Sequence, residues 1–169
     1  MKRLGFGQVE PNHLSAQRTG QIYAQLPADS SLTILENGQF VKYDYAAGKV
    51  DLTGAGEWML VFNEVKLYDG NRETYKDFAL RSKDAVDGVI VPRVFKTNVG
   101  DIYTTNCLYA AATSRDGETE MEDLVVGDTL GIASTGYLKK GENSDIKFKV
   151  VKVYTMADGQ EAVKIQRIA

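Results

Sequence analysis

The most regular alternation of hydrophobic and polar residues lies at the end of the chain. Apolar residues alternate with lysines over 146–150, and the alternation slips by one residue between Val150 and Val151. Strict alternation predicts a half-buried strand, and the slip predicts a β-bulge. A glycine-containing loop over 156–160 separates this run from a second alternating run over 162–168. The pattern therefore predicts a β-hairpin whose bulge curves the sheet.

Residues 35–68 have the pattern of an antiparallel meander. Aromatic and β-branched residues gather over 40–45, and glycine-containing turns follow at Gly48 and at 54–56. The apolar run 58–62 is long enough for a strand that is buried on both faces. We expect this meander, with Trp58 in its core, to be the packing centre of the first half of the chain.

The tripeptide Val-Gly-Asp occurs twice, at 99–101 and at 126–128, and alternating apolar positions follow it each time. Glycine permits the positive φ of a tight turn, and aspartate can hydrogen-bond the nearby backbone. The repeat therefore predicts two turns that each lead into a strand. Pro92 cannot donate to a sheet ladder, so the run 89–95 is predicted to be an edge strand or to contain a bulge.

These patterns together predict a mostly-β fold, in which an antiparallel meander is followed by a C-terminal barrel-like β module. The expected divisions are an extended N-terminal arm over 1–28, an antiparallel β module over 29–87 and a β-barrel-like module over 88–169. The last two modules can be continuous with each other. The arm has no sustained hydrophobic period. It is expected to bind its own body or a neighbouring subunit, or to be a frayed terminus.

Composition and charge limit the partners. The chain has 169 residues, of which 43% are hydrophobic and 25% charged, as in soluble globular proteins. A net charge of -3 has the wrong sign for a protein that neutralises phosphates, so no direct nucleic-acid binding is expected. No apolar run approaches the roughly 20 residues of a membrane helix. The first residues also lack the apolar stretch of a signal peptide, so we expect synthesis in the cytoplasm and no membrane partner.

The sequence contains few residues suited to catalysis or metal binding. It has one histidine, His13, and one cysteine, Cys107, which we expect to be buried. No nucleophile-elbow, Walker or dinucleotide motif is found, so we expect neither an enzyme nor a cofactor nor a metal site. The acidic stretch 116–123 lacks the spacing of a calcium loop, which leaves weak divalent-ion binding as a minor alternative. The lysines over 147–152 are interpreted as a solvated face that discourages edge pairing.

Four segments carry a resemblance to a known family. They are Asn37-Gly38, residues 40–46 (F-V-K-Y-D-Y-A), residues 59–68 (M-L-V-F-N-E-V-K-L-Y) and residues 11–17 (P-N-H-L-S-A-Q). They resemble structural proteins that tailed bacteriophages encode beside their major capsid proteins, usually interpreted as head decoration or auxiliary capsid proteins. The resemblance implies a virion protein on the capsid surface. It would decorate and stabilise the shell by binding the major capsid protein, as a homo-oligomer or symmetric cluster.

The resemblance also directs attention to the arm, because virion proteins often embrace their neighbours with such segments. Removal of residues 2–26 is then expected to leave a folded body that no longer occupies capsids. The residues of the arm expected to contact a partner are Phe6, His13, Leu14, Arg18 and Tyr23.

Two alternatives to capsid decoration remain open. Within the virion, the chain could be a head-tail connector, collar or fibre-base component. Outside the virion, it could be a carbohydrate- or ligand-binding β-domain. The second alternative predicts an exposed aromatic platform around Tyr103, Tyr109 and Tyr137.

Overall fold

The chain folds into antiparallel β-sheets, which confirms the predicted mostly-β class. The computed structural model describes residues 1–15, 25–63, 78–113 and 118–169. Two 3-10 turns, Ser82–Asp84 and Val86–Gly88, interrupt the strands. The strands in these residues are β1 (Lys2–Leu4), β2 (Val9–His13), β3 (Ile34–Glu36), β4 (Phe40–Asp44), β5 (Lys49–Asp51), β6 (Glu57–Val61), β7 (Ala79–Arg81), β8 (Val94–Phe95), β9 (Ile102–Thr105), β10 (Ala110–Thr113), β11 (Glu118–Met121), β12 (Thr129–Ile132), β13 (Leu138–Lys140), β14 (Lys147–Thr155) and β15 (Glu161–Arg167).

The strands form four sheets. The largest has the order β13-β12-β14-β15-β9-β2, and a four-stranded sheet has the order β5-β4-β6-β8. A three-stranded sheet has the order β1-β11-β10, and β3 pairs with β7. No strand pairing among the described residues joins β13 to β2, so a closed barrel is not seen in this part of the chain.

The C-terminal hairpin has the predicted bulge. The register of β14 and β15 passes from Val150 opposite Ile165 to Lys152 opposite Lys164, with one extra residue between them on β14. The side chains of Phe148, Val150, Val163 and Ile165 form its buried face. The loop over 156–160 is closed by a hydrogen bond from the Met156 N–H to the Gln160 carbonyl, at 2.7 Å.

Strands β4, β5 and β6 form where the meander was predicted, but β4 lies between β5 and β6, so their order is not that of a meander. Leu60 packs into one core cluster, whereas Met59 and Val61 pack into another, which confirms that this strand is buried on both faces. Trp58 packs against the main core cluster but is only half-buried. It lies opposite Lys42, whose ammonium is 5.3 Å from the centre of its ring.

The first and second halves of the chain share both a core and a sheet. Phe40 and Leu60 belong to the same hydrophobic cluster as Phe148, and the Phe40 and Phe148 ring centres lie 5.6 Å apart. Strand β8, from the second half, pairs with β6 from the first. The modules predicted on either side of residue 87 are therefore continuous in the structure, as the sequence allowed.

The two Val-Gly-Asp tripeptides form turns that lead into β9 and β12, as predicted. Gly100 and Gly127 have φ of 96° and 98°, the left-handed region that favours glycine. Pro92 lies two residues before β8, a strand of two residues at the edge of the four-stranded sheet. The predicted edge position is confirmed, although the strand is much shorter than the apolar run 89–95.

Candidate interaction surface

Residues 1–15, called here the N-terminal segment, lie on the body of the same chain. Strand β1 pairs with β11 at the edge of the three-stranded sheet, with Arg3 opposite Thr119. Strand β2 pairs with β9 at the edge of the six-stranded sheet, with Val9 opposite Thr105. Of the alternatives left open for the arm, its described part therefore binds its own body and is not frayed.

A buried ion pair holds the N-terminal segment against β3. Arg3 Nη1 lies 2.8 Å from Glu36 Oε2, and the two side chains are only 7% and 8% exposed. The same carboxylate accepts a hydrogen bond from the Gly7 N–H at 2.7 Å and one from the Tyr137 hydroxyl at 3.2 Å. Burial raises the pKa of Tyr137, so this hydroxyl remains a neutral donor.

A second polar network joins the N-terminal segment to the C-terminal hairpin. The Gln8 N–H donates to Asn106 Oδ1 at 2.7 Å, and Asn106 Nδ2 donates to Gln160 Oε1 at 3.1 Å. The same Gln160 oxygen accepts the Leu4 N–H at 2.9 Å. The backbone on both sides of Phe6 is therefore held by hydrogen bonds, from the Leu4 N–H to Gln160 and from the Gly7 N–H to Glu36.

The residues predicted to contact a partner do not share one environment in the structure. Phe6 is half-buried in the wall of a groove, and His13 is exposed at the end of β2. Leu14 is only 2% exposed and packs in the main core cluster, so its predicted role in contacting a partner is corrected to a role in the core. Arg18 and Tyr23 lie outside the described residues.

The groove beside Phe6 has a volume of about 490 Å³, and its lining is more apolar than polar. Val89 and Val91 stand on its rim and are 45% and 42% exposed. Strand β7 forms one side, and within the described residues it pairs only with β3. The lining residues are Phe6, Phe78, Ala79, Leu80, Arg81, Asp84, Ala85, Val89, Ile90 and Val91.

One ion pair marks the polar side of this groove. Arg81 Nε lies 2.7 Å from Asp84 Oδ2, and the Arg81 guanidinium lies 5.8 Å from the centre of the Phe6 ring. The guanidinium is thus shared between a carboxylate and an aromatic face. Apolar side chains flanked by a charged pair are typical of surfaces that bind other proteins.

The aromatic platform expected for a carbohydrate-binding domain is not formed. Tyr103 is completely buried, and the Tyr137 hydroxyl is bound to Glu36. Tyr109 lies beneath the ammonium of Lys139, 4.8 Å from the ring centre. Tyr103 belongs to the core and Tyr137 to a polar network, so these three tyrosines do not form the predicted platform.

The described residues contain little that could carry out chemistry. Cys107 is buried, as predicted, and burial raises the pKa of its thiol. No group of three or more His, Cys, Asp or Glu side chains in the described ranges could hold a metal ion. The acidic stretch 116–123 lies partly outside these ranges, because residues 114–117 are not described.

Sequence reasoning missed the residues that hold the N-terminal segment in place. Arg3, Gln8 and Glu36 are polar residues in segments without a hydrophobic period, and such residues are usually exposed. Their burial depends on partners distant in the sequence, as with Gln8 and Asn106. No local signal distinguishes them from solvated residues.

Comparison with known proteins adds no relative. No family model, no curated protein and no solved structure matches the chain. Among the described residues, no helix is both long enough and apolar enough to span a membrane.

Proposed function

We propose that this chain is a virion structural protein that decorates and stabilises a bacteriophage capsid by binding the major capsid protein. The proposal is supported by the resemblance carried by residues 11–17, 37–38, 40–46 and 59–68. The structural observation that supports it best is the groove beside Phe6, because it combines a mostly apolar lining with exposed valines on its rim. The proposed location is the outer surface of the capsid, with copies arranged as a symmetric cluster.

The proposed mechanism is mechanical. Burial of apolar area at the junctions between capsomers adds association free energy to the shell. Individually weak contacts sum when one protein bridges two capsomers, because the second contact forms at high effective concentration. A shell reinforced in this way needs more energy to open. The attachment of the backbone around Phe6 contributes because a segment that is already ordered loses little entropy on binding.

The test uses capsids assembled without this protein, to which purified variants are added. The variant Val89→Glu/Val91→Glu places two charges on the rim of the groove and is expected to reduce the bound copies per particle about tenfold. The matched control is Val99→Glu/Val126→Glu, which adds the same charges at positions that are 68% and 66% exposed outside the groove. It is expected to bind like the natural protein.

The outcomes of this test distinguish the role of the groove from the role of the whole protein on the capsid. Equal binding of the rim variant and the natural protein would show that the groove is not the contact. Absence of the natural protein from particles, in a density map and in sedimented material, would reject capsid decoration. Density confined to a single ring at the tail vertex would instead identify a connector component.

A further inference from the structure

One face of the six-stranded sheet carries four lysines on adjacent strands. Lys147, Lys149 and Lys152 belong to β14, and Lys164 belongs to β15. Lys152 lies directly opposite Lys164, and Lys149 lies opposite Gln166. Because paired residues and alternate residues of an antiparallel sheet share a side, these lysines lie on one side, called here the lysine face.

The bulge in β14 creates this arrangement. Phe148 and Val150 point into the core, so uninterrupted alternation would also turn residue 152 inward. The extra residue at the bulge reverses the phase, and Lys152 instead lies exposed opposite Lys164. The bulge thus extends the row of lysines along the strand as well as curving the sheet.

The four lysines of the lysine face form no ion pair with a described residue, although Lys139, in the same row as Lys147, pairs with Glu142 at 3.7 Å. Several lysines elsewhere also form ion pairs. Lys49 pairs with Asp29 at 2.6 Å, and Lys140 pairs with Asp128 at 2.9 Å. Like charges placed directly opposite each other destabilise a sheet, so the pair of lysines at 152 and 164 has an energetic cost that an anionic partner would remove.

The usual protective role of lysines does not explain the whole face. Lysines discourage unwanted pairing when they lie on edge strands, as we expected from the sequence. In the strand order β14 and β15 instead lie between β12 and β9, and β12 pairs with β14 from Lys147 to Lys149. The interpretation as edge protection is therefore wrong for Lys147 and Lys149, whereas the part of β14 that contains Lys152 pairs only with β15 among the described residues.

The only described carboxylate in the row that contains Lys152 and Lys164 is already engaged. That row continues through Thr104 to Glu10 on β2. Glu10 Oε2 accepts a hydrogen bond from the Tyr154 hydroxyl at 2.8 Å, and the same hydroxyl contacts Thr104 Oγ1 at 2.7 Å. Thr104 separates Glu10 from Lys164 in this row, and the Glu10 carboxylate forms no ion pair with a lysine of the face.

We propose that the lysine face binds an acidic surface of a protein partner. Its four positive charges stand against a net charge of -3 for the whole chain, so the remainder of the chain carries -7. That remainder repels an extended polyanion such as a nucleic acid, whereas a local acidic patch on a protein meets only the face. Alternate lysines on one strand lie about 7 Å apart, which matches alternate carboxylates on an extended acidic segment.

The aromatic side chains near the face also favour a protein over a single-stranded nucleic acid. Binding of single strands relies on exposed aromatic rings that stack on bases. Tyr154 is half-buried, and its hydroxyl is held by Glu10 and Thr104, while Lys152 lies 5.4 Å from the centre of its ring. No free stacking surface is therefore available at this tyrosine.

The experiment uses the full chain and three fluorescent probes of equal length. They are a 12-residue peptide of alternating Glu and Ser, the same peptide with Gln in place of Glu, and a 12-nucleotide oligothymidine. Fluorescence anisotropy at low salt is expected to show binding of the glutamate peptide alone, with affinity falling at least about fivefold when salt rises to physiological strength. Failure of the glutamate peptide to bind, or tighter binding of the oligothymidine, would overturn the proposal.

Matched charge variants locate the binding. Lys149→Glu is expected to weaken binding of the glutamate peptide about tenfold, whereas Lys83→Glu, an exposed site in a 3-10 turn, is expected to change it less than twofold. If the two variants lost affinity for the glutamate peptide equally, binding would depend on net charge alone, and the proposal would be overturned. Lys164→Gln provides a second, milder variant should Lys149→Glu fail to fold. Since the peptide assay contains no capsid, its result is independent of the proposed capsid function.

Discussion

Asp101 and Asp128 close two turns in the same way. Asp101 Oδ2 accepts the backbone N–H of Asn98 at 2.8 Å, and Asp128 Oδ2 accepts that of Val125 at 2.9 Å. Each turn also exchanges two backbone hydrogen bonds with one residue of the neighbouring strand, Arg167 in the first case and Val150 in the second. The repeated tripeptide thus starts the two strands that flank the β14–β15 hairpin.

Gly100→Ala and Gly127→Ala are each expected to lower the free energy of unfolding by about 1–2 kcal/mol. Both glycines have positive φ, and an added Cβ would meet no atom within 4 Å, so the loss comes from backbone conformation and not from a clash. Urea denaturation measures the change. Val99→Ala and Val126→Ala, in the same turns, are the controls and should be nearly neutral. An unchanged free energy of unfolding in the glycine variants would contradict the explanation by positive φ.

Acidification is expected to remove stabilisation at Asp29 and Asp128. Hydrogen bonds from Lys49 and Ser31 lower the pKa of Asp29, and those from the Val125 N–H and Lys140 lower the pKa of Asp128. Because the folded-state pKa lies below the unfolded value of about 3.9, the stabilisation is present above that pH and is lost as the pH falls through the folded-state pKa.

The expected measurement is a melting temperature that falls less steeply below about pH 4 in Asp29→Asn and Asp128→Asn than in the natural protein. The effect should be small because both carboxylates are screened by solvent. Asp145→Asn, at an exposed position, is the control. If the melting temperatures of all four proteins fell equally steeply below about pH 4, these hydrogen bonds would not influence stability.

Removal of either partner of the buried ion pair is expected to be costly. Arg3→Met leaves the Glu36 carboxylate buried without its cation and should lower the free energy of unfolding by about 3–5 kcal/mol. The double variant Arg3→Met/Glu36→Gln should lose less than the sum of the two single variants, because no charge remains unpaired. Additive losses in the double-mutant cycle would be evidence against a direct interaction.

Removal of residues 2–26 is expected to prevent folding, in contrast to the expectation for an extended arm. The deletion eliminates β1 and β2, together with the buried side chains of Arg3, Gln8 and Leu14. A two-dimensional amide spectrum of the truncated protein should therefore show poor dispersion. A well-dispersed spectrum would restore the interpretation of this region as a dispensable arm.

Cys107 is expected to resist a thiol reagent in the folded protein. Burial both raises the pKa of its thiol and blocks access, so labelling at pH 8 should be at least about a hundredfold slower than in urea. Ser134→Cys, at an exposed position, should be labelled rapidly at the new cysteine under both conditions. Fast labelling of native Cys107 would reveal local opening around it.

The features that sequence reasoning predicted well are local. The bulge at Val150, the turns at Gly100 and Gly127 and the buried run 59–61 follow from alternation and turn chemistry over a few residues. Trp58 lies at the margin of the core and not in its centre, because periodicity identifies a strand but not how deeply each of its residues is buried. Alternation predicted which side chains of β14 are exposed, but it did not predict which strands lie beside β14.

Neighbouring residues specify the strands of the C-terminal hairpin and the alternation of their side chains, because both properties are local. Strands β1 and β2, which no local pattern predicted, and the pairing of the strands follow from the folded structure. Val9 lies opposite Thr105, and Lys152 lies opposite Lys164. Contacts between residues far apart along the chain depend on the packing of the whole core, so no short pattern records them. For the same reason, the burial of Arg3 against Glu36 became visible only in the folded chain.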